Sequence, residues 1–142
     1  MPYRFQTSWR VRYDEIDLQG VVHHPRIVIY LEIARIEYWR QLGISYRQMR
    51  DDGYEFIVKN VDVEYIKPLL FDEFISVSVG VKSMARASFV LGYEITKEDG
   101  QLGVVAEVKL VCSRVGANRP CALPAAYVEA LQKYEANDMV QE

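Results

Sequence analysis

The spacing of apolar residues changes period twice along this chain, and those two changes limit the folds open to it. Tyr3, Phe5, Thr7, Trp9, Val11 and Tyr13 alternate with Arg4, Gln6, Ser8, Arg10 and Arg12, a period of two that predicts a strand with one wet face. From Pro25 to about Leu42 the period is helical. Ile27, Tyr30, Leu31, Ala34, Tyr38 and Leu42 form one stripe, while Val28, Ile36 and Trp39 carry apolar surface well round the other side. Pro25 suits the first helical position, which makes His24 the expected N-cap, and Gly43 stops the helix. Glu32 and Arg35 fall among the apolar positions and are expected to be partly buried and paired with each other.

A short helix is expected over residues 45–52, and beyond it period two returns for good. Val61, Val63 and Tyr65 alternate with Asp62 and Glu64; Ile75, Val77, Val79 and Val81 alternate with Ser76, Ser78 and Gly80; Phe89, Leu91, Tyr93 and Ile95 follow the same rule. Lys97-Glu98-Asp99-Gly100 reads as a hairpin turn, and a last strand runs from Gln101 to about Val115. Pro124 to Tyr134 can form a terminal helix, followed by a frayed tail. One strand, one long apolar helix and four strands on short turns pack best as a five-stranded antiparallel sheet curled round the helix, an α+β fold. With 142 residues, half of them hydrophobic, a single domain over 1–142 with its core at about 5–130 is expected.

Charge and composition exclude several classes. A formal net charge of −3 offers no bulk attraction for nucleic acid, although Arg4, Arg10 and Arg12 make a local basic row, so no nucleic-acid partner is expected. Cys112 and Cys121 lie far from either histidine and match neither a metal spacing nor a disulfide framework, which reads as reduced, intracellular thiols. No run of about 18 apolar residues exists, and the N-terminus enters strand alternation without an apolar signal core, so a soluble cytoplasmic protein without a membrane segment is expected. G-x-G-x-x-G, P-loop and G-x-S-x-G patterns are absent. No cofactor is expected, and Asp14, Asp17, His23 and His24 lack a recognised metal-ligand spacing.

The chemistry concentrates between Tyr13 and Pro25, where Asp14, Glu15, Asp17, Gly20, His23 and His24 stand directly before the apolar helix. A helix start offers unpaired N–H groups and partial positive charge, so a carboxylate beside it can share a polarised carbonyl with those donors. That is the outline of an acyl-transfer or hydrolysis site. An Asx turn or a cap ahead of the helix is the other common use of an Asp such as Asp17, and Asp14 and Glu15 read as loop charges or partners of the arginine row.

These residues also carry a family pattern. An aromatic residue, Tyr13, precedes Glu15, Asp17, Gly20-Val21-Val22 and His24, and the helix then carries Glu32, Ala34 and Arg35. Val63, Tyr65, Pro68, Asp72, Arg86-Ala87-Ser88 and Ala122-Leu123-Pro124 follow in the same order. Over roughly residues 5 to 130 the chain resembles the hotdog-fold acyl-CoA thioesterases of the 4-hydroxybenzoyl-CoA thioesterase/YbgC-like family, and His23-His24 is more similar to the YbgC-like side.

The resemblance implies that Asp17 is the catalytic carboxylate, acting as base or nucleophile. It places an oxyanion donor at His24, whose backbone N–H is the first candidate and whose imidazole is the second. Gly20 gives the tight turn and close approach to ligand, and Val22 and Glu32 stand with the substrate. Lys59, Lys82, Arg86 and Ser88 are the expected contacts of the coenzyme A phosphates. A homodimer with the site between subunits, commonly doubled to a tetramer, is expected. The implied reaction is hydrolysis of an acyl-CoA to free acid and coenzyme A. An acyl-carrier-protein thioester is the alternative substrate, and a non-catalytic acyl-CoA-binding hotdog module the alternative role.

Overall fold

The computed structural model describes residues 3–136. The elements run β1 (Phe5–Arg10), a 3-10 turn (Tyr13–Glu15), α1 (His24–Gln41), α2 (Tyr46–Asp51), β2 (Tyr54–Tyr65), β3 (Phe74–Met84), β4 (Ser88–Thr96), β5 (Leu102–Arg114) and α3 (Ala125–Glu135). All strand pairs are antiparallel, in the order β1-β3-β4-β5-β2. The expected five-stranded α+β sheet around one long helix is therefore present. The frayed tail expected after α3 lies outside the described residues.

The core forms where the two periods meet. Ile75, Val77, Val79, Leu91, Tyr93, Ile95, Val108 and Leu110 are buried on one sheet face, and Ile27, Tyr30, Leu31, Ala34 and Tyr38 of α1 are buried against them. Each such Val, Leu or Ile contributes about 1.5–3 kcal/mol relative to exposure. The predicted stripe of α1 is thus its packed face. Its end is a Schellman motif: Gly43 stands at φ +79°, its N–H donates to Arg40 O at 3.0 Å, and the Ile44 N–H donates to Trp39 O at 2.9 Å.

Three local expectations need correction. The N-cap of α1 is His23, one residue earlier than predicted, because Pro25 occupies the second helical position. Strand β1 ends at Arg10, since the Arg12 N–H turns to the Glu15 carboxylate at 2.8 Å and starts the 3-10 turn. Glu32 is exposed and forms no ion pair with Arg35 among the described residues; on its side of α1, Ile29, Ile33 and Ile36 are exposed as well. The sheet curls round only the stripe and leaves that side open.

Strand β2 is also longer than its alternation announced. It pairs only with β5 and presents Ile57, Val58, Val61 and Tyr65 exposed along a free edge. Extra residues interrupt three ladders, at Lys59 in β2, Lys82 in β3 and Gly103 in β5.

Candidate active site

The loop between β1 and α1 is built around a buried carboxylate. Glu15 accepts the Arg12 N–H at 2.8 Å and the Tyr30 hydroxyl at 2.7 Å, which ties the 3-10 turn to the packed face of α1. Glu15 was expected as a loop charge; the structure makes it an anchor. Burial first, then the bond and charge of Glu15, push the Tyr30 phenol well above its ordinary range. Asp14 stays exposed, 3.5 Å from Arg12.

Residues 16–22 then form a small hairpin. Ile16 bridges Val22, the Asp17 N–H donates to Val21 O at 2.9 Å, and the Gly20 N–H donates to Asp17 O at 3.1 Å. Gly20 holds φ +79°, a conformation other residues adopt only with strain. Asp17 does make the Asx turn its type suggested: its Oδ1 accepts the Gln19 N–H at 2.8 Å and the Val21 N–H at 3.5 Å. Oδ2 has no partner among the described residues. A second loop clasps the hairpin from outside, with the Val22 N–H donating to Leu69 O at 2.8 Å, the Phe71 N–H donating to Gly20 O at 3.0 Å, and Val21 bridging Leu70.

Between the hairpin, the start of α1 and the end of β2 lies a cleft of about 290 Å³. Asp17, Val22, His24 and Ile27 line one wall, and Tyr65, Lys67, Leu69 and Val104 the other. The Tyr65 hydroxyl donates to the His24 carbonyl at 3.1 Å, and its ring stands edge-on to the imidazole at 6.3 Å between centroids. The sequence marked Tyr65 only as part of a pattern and did not single out Lys67 or Leu69. Pro68, which stops β2, is the one local hint that this segment turns back toward the site.

The amides around the cleft are almost all spoken for. Gln19, Gly20 and Val21 donate to Asp17, Val22 to Leu69, His23 to Glu15 O at 2.9 Å, and Arg26 to His23 O at 2.8 Å, while Pro25 has no N–H. His24 is the first residue of α1, so no carbonyl lies one turn before it inside the helix. Among the described residues its N–H has no acceptor, and it opens on the partly positive end of an 18-residue helix.

The remaining predicted residues lie elsewhere in this chain. Arg86 and Ser88 stand at the β3–β4 turn, at the sheet end opposite Asp17 and Tyr65. Lys82 is on the face away from α1, bonded to Glu107 at 2.6 Å, and Lys59 is exposed at the middle of β2. Glu32 does not line the cleft. Cys112 and Cys121 are free thiols with their sulfurs 3.5 Å apart, and no group of three metal-ligating side chains occurs among the described residues. No helix among them is long and apolar enough to cross a membrane.

Comparison with known proteins identifies the family and the fold. Residues 11–131 match the family described as the thioesterase-like superfamily. The acyl-CoA thioester hydrolase YbgC of Escherichia coli O6:H1 is 32% identical over 124 residues, covering 87% of this chain and 92% of that protein. A DHNA-CoA thioesterase from Staphylococcus aureus superposes with a TM-score of 0.86 at 30% identity, over 92% of this chain and 90% of its own. A thioesterase complexed with coenzyme A and Zn from Thermus thermophilus superposes with a TM-score of 0.80 at 25% identity, over 96% of each chain. With its five-stranded hotdog sheet and these matches along most of its length, this chain belongs to the thioesterase-like superfamily, as a thioester hydrolase of its YbgC-like acyl-CoA thioesterase family.

Proposed function

We propose that the protein hydrolyses an acyl-CoA thioester with Asp17 as the catalytic carboxylate and the His24 backbone N–H as the oxyanion donor. The observation that carries this reading is the count of amides. Among the described residues, every N–H from Gln19 to Arg26 has an acceptor except the one at His24, in the cleft wall that Asp17 shares. A preorganised donor where negative charge develops stabilises the tetrahedral intermediate without reorganising at the moment of reaction. The Asx turn fixes Asp17 by one oxygen and leaves the other for chemistry. As base it takes a proton from water as the hydroxide adds to the carbonyl; as nucleophile it forms an anhydride that water opens. Either way the C–S bond breaks, and the coenzyme A thiolate leaves and takes up a proton. Gly20 shapes the hairpin, and Val22 forms the wall against the acyl group.

The site is completed by a second copy. Strand β2 offers 12 residues of edge with apolar side chains exposed, a surface that pairs with another strand. Antiparallel pairing of two such edges sets the Ser88 end of one sheet beside the Asp17 end of the other. Arg86 and Ser88 of one copy then reach the phosphates of a coenzyme A whose thioester lies at the other copy's Asp17. Lys59 lies on that seam. Lys82, engaged by Glu107, is the weakest of the four. The exposed Ile29, Ile33 and Ile36 with Glu32 form a second apolar face on α1, suited to doubling a dimer into a tetramer.

Thiol release from short-chain, long-chain and aromatic acyl-CoAs tests the reading, with wild type and Asp17→Asn side by side. Hydrolysis by wild type and a loss of about 10²-fold or more in a folded Asp17→Asn are expected. A near-wild-type rate in that variant removes Asp17 from the mechanism, and silence of the wild type across the panel removes the acyl-CoA assignment.

A further inference from the structure

Beneath the loop that clasps the catalytic hairpin lies a charge pair that the mechanism above does not use. Lys97 opens the β4–β5 turn, and Glu73 precedes β3; their side chains are 8% and 10% exposed and the Nζ stands 2.8 Å from Glu73 Oε1. Lys97 also donates to the Pro68 carbonyl at 2.5 Å. Glu73 in turn accepts the Leu70 N–H at 2.9 Å through Oε1 and the Glu98 N–H at 3.1 Å through Oε2. Burial alone would raise the Glu73 carboxyl, but the Lys97 bond, the two amides and the Lys97 charge hold it below its ordinary range.

Both ends of the 68–73 segment are therefore fastened to one buried pair. Gly103 makes room for it: a Cβ there would meet Leu69 Cδ2 at 2.8 Å and Lys97 Cγ at 3.3 Å. A buried ion pair gives little net stability once its desolvation is counted, so its visible effect is on geometry. The geometry it fixes is that of Leu69, Leu70 and Phe71. These are the residues whose backbone meets Val22, Val21 and Gly20, the arm of the hairpin that pairs with Asp17 and leads into His24.

We propose that Glu73 and Lys97 are positioning residues: their buried pair holds the 68–73 loop in the one arrangement that clasps Gly20 to Val22 and so sets Asp17 and the His24 N–H against the thioester carbonyl. This rests on the reading of Asp17 as the catalytic carboxylate. Lys97→Met removes both bonds to the loop and leaves the Glu73 carboxylate to two amides. The bonds of the pair run to Pro68, Leu70 and Glu98 and to none of the residues assigned to coenzyme A, so the pair acts on turnover through the placement of the loop.

The test is steady-state thioesterase kinetics with amide hydrogen exchange on wild type, Lys97→Met, Lys97→Arg and Asp17→Asn. Lys97→Met should lower kcat by about tenfold or more with KM within about twofold, as misplacement of reacting groups by an ångström can cost 10²-fold. Lys97→Arg, which keeps the charge, should recover most of that loss. Exchange should rise over residues 16–23 and 68–73 while the peptides of α1 and β4 keep wild-type protection. A folded Lys97→Met with kcat within twofold of wild type overturns the proposal, as does a rise in exchange spread evenly over the sheet. Should Lys97→Met fail to fold, Glu73→Gln, which keeps the shape of the acceptor, is judged by the same criteria. Asp17→Asn separates the two failures. A wild-type rate there overturns the catalytic reading itself, whereas an inactive Asp17→Asn beside an unaffected Lys97→Met overturns only the clasp.

Discussion

Tyr30→Phe isolates the bond that joins the loop before Asp17 to the helix. Tyr30 is fully buried, its hydroxyl donates to a carboxylate with 9% exposure, and its ring keeps an edge contact with Trp9 at 5.2 Å that phenylalanine can preserve. The substitution therefore removes one charge-assisted hydrogen bond and little packing. Such bonds are worth about 1.5–3 kcal/mol, and Glu15 retains only the Arg12 amide. An unfolding entropy of about 2.1 cal/mol/K per residue gives ~0.3 kcal/mol/K over 142 residues, so Tm should fall by about 5–10 °C. Circular dichroism melts at one fixed protein concentration measure it, because an assembling protein melts at a concentration-dependent temperature.

The pH dependence adds a sign to this test. The folded protein raises the Tyr30 phenol above its ordinary value, so the folded state keeps a proton that the unfolded chain releases near about pH 10. The contribution of this group is whole below that pH and is lost as pH rises above it. Phenylalanine cannot titrate, so the Tm gap between the two proteins should narrow above about pH 10. A gap below about 2 °C at neutral pH, or one unchanged between neutral pH and about pH 11, refutes the assignment of this bond as a stabilising anchor.

Two further outcomes follow from the same geometry. If the exposed Arg86 holds a coenzyme A phosphate as proposed, Arg86→Ala should raise KM for acyl-CoA by about tenfold or more with kcat nearly unchanged; an unchanged KM excludes Arg86 from the phosphate site. Burial, with the bond and charge of Cys121, pushes the Cys112 thiol up to about 12. Iodoacetamide at neutral pH should therefore label the native protein at Cys121 alone and reach Cys112 only after unfolding, and peptide mapping that finds both labelled in the native state contradicts this.

Much of this molecule is legible in its sequence. The helical stripe of Ile27, Tyr30, Leu31, Ala34 and Tyr38, the turn at Lys97 to Gly100 and the alternation of β3, β4 and β5 are local signals, set by side chains a few residues apart. The same holds for the candidate site's linear part. Asp17, Gly20 and His24 lie within eight residues of one another, so their type and order already outline a turn before a helix start. Charged positions were read least well. Glu15 looked like a loop charge and is an anchor, while Glu32 looked partly buried and is exposed, because a carboxylate's fate depends on whether a donor waits for it across the fold.

Element order, the helix stripe and the short segment between Tyr13 and Pro25 follow from neighbours along the chain alone. The meeting of Glu15 with Tyr30 and of Glu73 with Lys97, the clasp of Leu69 and Phe71 on the hairpin, and the place of Arg86 and Ser88 at the far end of the sheet from Asp17 emerge in the folded chain. Those contacts join residues up to dozens of positions apart, and periodicity carries no record of which distant backbone or side chain completes a buried hydrogen bond.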